Sequence, residues 1–126
     1  MSSESLHEAA EKLSPATIDR HRATVSLMEE LEAIDWYDQR IDAATDEALQ
    51  AVLRHNRDEE KEHAAMVLEW LRRQDPVLDE KLRTYLFAEG DILAVEAAAE
   101  AEDGDDAEAD EGSLGIGDLR KDEVAP

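Results

Sequence analysis

Glu60-Lys-Glu-His63 sets a carboxylate and an imidazole three residues apart. On a helix that spacing points both side chains the same way, so the pair can grip one cation. Each of the two belongs to a longer pattern. Leu49, Leu53, Asn56, Glu60, His63, Val67 and Trp70 follow a 4-3-4-3-4-3 spacing, and Ala23, Leu27, Glu30, Ile34, Tyr37 and Ile41 follow 4-3-4-3-4. This is the spacing of a helix's buried seam in a bundle or coiled coil. Both seams are mostly apolar, yet Glu30 stands near the middle of one and Glu60 with His63 near the middle of the other. A charge in a packed seam costs on the order of several kcal/mol unless it is compensated. No Lys or Arg falls on either seam, so a bound cation is the natural compensation. Glu59 and Glu62 fall off the seam and are expected to be solvated.

The chemistry is that of an oxygen and nitrogen donor set without thiolate, which suits iron or manganese, although zinc would also bind. Four-helix bundles that hold two such ions use one Glu from each of two helices and a Glu-x-x-His from each of the other two. The chain holds half of that set, and no second seam Glu-x-x-His occurs. The expected fold is therefore all-α, an antiparallel two-helix hairpin with a short third helix, half of a four-helix bundle completed by dimerisation. Two copies related by a two-fold axis would supply four carboxylates and two imidazoles, and two Fe²⁺ would neutralise the carboxylates. The spacing is also compatible with a chance Glu-x-x-His in a glutamate-rich helix, or with buried polar residues that set coiled-coil register.

Composition agrees with helices and restricts the partners. Apolar residues make up 42% of the 126, aromatics only 4%, and β-branched residues never alternate with polar ones as they would in strands. A formal charge of −21, from 34 acidic against 13 basic residues, argues against nucleic acid and anionic membranes as partners. There is no cysteine, which excludes disulfides and thiolate metal sites. No apolar run reaches the roughly 20 residues that span a bilayer, nor does the first stretch read as a secretory signal, so a cytoplasmic protein is expected.

Local signals place the elements. Ser5 and Glu8 have capping-box spacing for a short helix within 1–14. Ser14-Pro15 reads as an N-cap and first helical residue, opening a helix that runs to about Arg40. Asp42 to Thr45 is a short connection, with Thr45 capping a second helix from about Asp46 to Arg73. Asp75-Pro76 opens a third, which Gly90 can close.

Over residues 15–90 the chain closely resembles the encapsulated ferritins, through His21-Arg-Ala-Thr-Val-Ser-Leu-Met-Glu-Glu-Leu-Glu-Ala-Ile-Asp-Trp-Tyr-Asp-Gln-Arg40 and His55-Asn-Arg-Asp-Glu-Glu-Lys-Glu-His-Ala-Ala-Met66. Leu68-Glu-Trp-Leu-Arg-Arg73 and Leu82-Arg-Thr-Tyr-Leu-Phe87 extend it. The resemblance implies half-ferritins that pair across a two-fold axis inside a ring-shaped decamer. It implies a ferroxidase that oxidises Fe²⁺ with O₂ at a di-iron centre of Glu30, Glu60 and His63 from each chain. It also implies an outer metal site at Glu29 and Glu32, beside Trp36. Spacing adds little to the outer site, since an ordinary acidic helix flank has the same pattern. Tyr37 is expected to pack in the core. The rival functions are a non-catalytic helical adaptor and a rubrerythrin-like di-metal enzyme, the latter weakened by the lack of cysteines.

Residues 91–111 form an acidic stretch, with nine carboxylates and no basic residue from Glu96 to Glu111, and it is expected to be a disordered linker. In 112–126, Leu114, Ile116 and Leu119 punctuate a glycine-containing segment. Ser113-Leu-Gly-Ile-Gly-Asp-Leu-Arg120 resembles the targeting peptides that load cargo into encapsulin shells, which implies an encapsulin partner and a place inside an encapsulin nanocompartment.

Overall fold

The computed structural model describes residues 5–109, and side chains as far as residue 103. No strand occurs among the described residues, so the expected all-α class holds. Two long helices, α1 (Pro15–Ala43) and α2 (Glu47–Gln74), pack against each other as an antiparallel hairpin. They are followed by α3 (Pro76–Tyr85) and α4 (Ile92–Ala109). Two compact units divide the chain, Met1–Asp79 and Glu80–Pro126, so the hairpin lies wholly in the first and α4 in the second.

The hairpin begins as its sequence dictates. The Ser14 hydroxyl accepts from the Thr17 N–H at 3.1 Å, with Pro15 in the first turn where its missing N–H costs nothing. The second helix starts one residue later than expected. Asp46, not Thr45, is the cap, its carboxylate accepting from the Leu49 N–H at 3.2 Å, and α1 itself continues to Ala43. Gln50 then seals the turn. Its Nε2 donates to the carbonyls of Ile41 at 3.1 Å and Ala44 at 2.6 Å, satisfying acceptors that the end of α1 leaves open.

Three further expectations are corrected. Among its described residues the N-terminal segment forms only a 3₁₀ turn at Ala10–Lys12, with no side-chain cap; a single uncapped turn does not propagate. Helix α3 ends at Tyr85, before Gly90 is reached. Phe87 already has a left-handed backbone at φ 63°, and Gly90 adopts φ 92° in the connection beyond. The acidic segment is helical as far as Ala109 rather than disordered. Its composition denies it a packed core, but Ala and Glu favour a local helix, and Asp91 caps it by accepting from the Ala94 N–H at 3.1 Å. The C-terminal segment 112–126 lies outside the described residues.

Very little of the apolar surface is covered. Ile41 and Ala64 are the buried apolar residues among those described, whereas Leu31, Val52 and Met66 are each more than half exposed. On α1 the seam behaves as expected: Ala23, Leu27, Glu30, Ile34 and Tyr37 are half-buried and Ile41 is buried. On α2 the face turned inward is rotated from the expected seam. It runs through Leu53, Arg57, Glu60, Ala64, Leu68 and Leu71, all at least half-buried. Leu49, His63 and Trp70 stay exposed. An arginine is thus part of the hairpin interface, which the seam spacing did not anticipate.

Candidate metal centre

Helix α1 brings Glu30, and α2 brings Glu60 and His63, to one place midway along the hairpin. His63 Nδ1 lies 3.3 Å from Glu60 Oε1 on its own helix and 3.7 Å from Glu30 Oε2 on α1. Each residue offers a ligand atom within 4.8 Å of the others. This is the one such group of three His, Asp or Glu donors among the described residues.

The electrostatics show what the group lacks. Glu30 and Glu60 are three-quarters covered, at 23% and 24% side-chain exposure. The Glu30 carboxyl is held above the usual carboxylate range, first by a hydrogen bond shared with Glu60, then by burial and by the charge of Glu60; His63 pulls it the other way. Two carboxylates forced together in this manner share a proton or take up a cation. The donor set, two carboxylates and one imidazole, fits a borderline-hard divalent ion. His63 is 48% exposed, so the group is open on the side away from the hairpin's own interface.

Other sequence expectations fare differently. Glu29, Glu32 and Trp36 are exposed, Trp36 at 49%, and neither glutamate joins a group of three donors among the described residues. Tyr37 is half-buried, with the Arg40 guanidinium 5.5 Å above its ring centre. Glu62 is exposed as expected, whereas Glu59 is half-buried and pairs with His55 at 3.5 Å. One contact across the hairpin was not anticipated. Arg57 crosses from α2 to Asp38 on α1 at 3.0 Å, and no spacing along a single helix could have revealed a partner on another.

Comparison with known proteins settles the family, because residues 5–89 match the EncFtn-like family. The chain belongs to the EncFtn-like family. It is 60% identical to the encapsulated ferritin-like protein of Rhodospirillum rubrum, over 94% of this chain and 90% of that one. It is 52% identical to a ferritin-like protein of Thermotoga maritima, over 71% of this chain and 79% of the relative. A shorter stretch, 37% of this EncFtn-like chain, is 49% identical to 36% of the encapsulin nanocompartment cargo protein EncC of Myxococcus xanthus. The crystal structure of protein ne0167 from Nitrosomonas europaea superposes with a TM-score of 0.67 at 56% identity, covering 69% of this chain and 96% of that one. The helical fold is thus shared with that protein.

Proposed function

We propose that this EncFtn-like chain is a ferroxidase, oxidising Fe²⁺ with O₂ at a di-iron centre formed between two copies. The observation that supports it most directly is the convergence of Glu30, Glu60 and His63 with an open side. One copy supplies three ligands; a second, related by a two-fold axis, supplies the same three and completes a four-helix bundle. The exposed stripe of Leu49, His63 and Trp70 beside Glu60 is the face such a partner would cover.

In this reading iron is the substrate. Two Fe²⁺ give up one electron each, and O₂ takes both with two protons to leave as hydrogen peroxide. The carboxylates do two things. They neutralise the incoming charge, and as hard oxygen donors they favour Fe³⁺ over Fe²⁺, which eases oxidation. Glu29 and Glu32, beside Trp36, would form an outer site that gathers Fe²⁺ from solvent.

The names of the relatives, ferritin-like and encapsulated or encapsulin cargo, support the wider setting. The dimers assemble into a ring-shaped decamer. Ser113 to Arg120 docks the protein to an encapsulin shell in the cytoplasm, and oxidised iron is delivered to that compartment for storage.

Aerobic Fe²⁺ addition, followed by Fe³⁺ absorbance, tests the reaction. The protein is expected to accelerate Fe³⁺ formation over buffer, and Glu60→Ala or His63→Ala to abolish the gain. If both variants oxidise iron at the wild-type rate, the site assignment fails. If the wild type gives no acceleration, the chain is a helical adaptor rather than an enzyme.

A further inference from the structure

We propose that Arg57 is a positioning residue for the carboxylate–imidazole site, holding the axial register of α1 against α2 through Asp38; this rests on the metal-site reading above. Arg57 Nη1 donates to Asp38 Oδ1 across the hairpin at 3.0 Å, while its Nε donates to Asp58 Oδ1 on its own helix at 3.2 Å. The second bond aims the guanidinium at the first. Arg57 stands one turn before Glu60 on α2, and Asp38 stands two turns after Glu30 on α1. The pair therefore lies between the turn sealed by Gln50 and the site itself.

The site needs such a device. Beyond the site the half-buried seam is mostly apolar, with Leu27, Ile34 and Leu53 among its residues, and apolar burial is non-directional, so away from the end that Gln50 seals it resists sliding poorly. Metal ligation tolerates errors of only about 0.2 Å. A slip by one residue moves Glu30 about 1.5 Å along the axis. A planar guanidinium with donors at fixed angles resists that slip, and a lysine cannot, because its single ammonium swings on a flexible stem. The Arg57 side chain is 23% exposed and Asp38 53% exposed, so solvent screens the pair's charge and the restraint rests on the geometry of the hydrogen bond. The guanidinium is charged at every working pH, so the bond to Asp38 does not depend on titration of the arginine.

A merely stabilising ion pair would lower the melting temperature without touching the metal. Co²⁺, whose visible absorption reports ligand number and geometry, separates the two roles. The full-length wild type, Arg57→Lys, Asp38→Asn and the double variant are titrated with Co²⁺, with helicity followed by circular dichroism. Each single variant is expected to keep its helicity, bind Co²⁺ about tenfold more weakly and show an altered spectrum. The double variant should be no worse than either single one, since both remove the same restraint. Wild-type affinity and spectrum in the single variants, or losses that add in the double, would overturn the proposal. If Arg57→Lys loses helicity, Asp38→Asn decides by the same criterion. A wild type that takes up no Co²⁺ instead overturns the metal-site reading, a distinct result.

Discussion

Gln50, in the first turn of α2, donates its side-chain amide to the carbonyl of Ile41, the most deeply buried apolar residue described. The same amide nitrogen reaches Ala44, so one side chain satisfies two acceptors at the closed end of the hairpin. From that fixed end the register runs through Arg57 and Asp38 to His63 and Glu30.

Gln50→Ala is expected to destabilise the fold. It leaves two partly covered carbonyls without their partner, at a cost of about 1–2 kcal/mol. Urea unfolding of the metal-free protein measures this. An unchanged midpoint would mean that water replaces the amide without loss.

Glu30→Gln separates stability from function. The substitution keeps the side-chain shape and removes one of two carboxylates that press on each other. Because the folded state holds the Glu30 proton above the usual range, that group's contribution is present at low pH and lost as pH rises through its raised pKa. At neutral pH the variant is therefore expected to be more stable than the metal-free wild type, while binding metal more weakly. Thermal unfolding with and without Fe²⁺ or Co²⁺ checks both halves. A variant less stable than the metal-free wild type would show that the carboxylate pair is not under repulsion.

Assembly is expected to depend on metal. Bringing the Glu30 and Glu60 carboxylates of two copies together without a cation repels, and a ligand that binds only the paired form stabilises it by mass action. Sizing columns run with Fe²⁺ and after thorough chelation should show a larger species with metal. An oligomer indifferent to chelation would count against metal-driven pairing while leaving the site itself in place.

How much was legible in the sequence follows from how local each signal is. The caps at Ser14 and the break at Asp75-Pro76 are short-range chemistry, and both were readable. That Glu30, Glu60 and His63 come together was readable too, because a charge is conspicuous in an apolar stripe. What the stripe did not reveal is that α2 has two faces to satisfy. Spacing alone merged the face turned toward α1, through Ala64, with the exposed edge that bears His63. The acidic segment was misread for a related reason. High charge rules out a core, but α4 needs none, since its hydrogen bonds close within a few residues. Arg57 stayed hidden because its partner is on the other helix.

The end of α2 offers a test of pH dependence that is independent of the metal. Glu69 accepts from Arg72 at 2.7 Å and from Arg73 at 2.6 Å. Arg72 also pairs with Asp79 of α3, the buried charged residue among those described, so the cluster ties the start of α3 back to α2. Hydrogen bonds from Arg72 and then Arg73 hold the Glu69 carboxyl down at about 2, against an ordinary 4.5. A carboxyl whose pKa is depressed by folding contributes stability that is complete above the ordinary value and lost as pH falls toward the depressed one. Glu69→Gln is therefore expected to lose less stability than the wild type on acidification from pH 4.5 toward 2. The Glu69 side chain is 41% exposed, so solvent screening keeps the difference small. The difference between their urea midpoints across that window reports Glu69 together with the Arg72–Asp79 pair that shares its arginine. Parallel acid limbs would mean that the arginines hold it no more tightly in the folded chain than in the unfolded one.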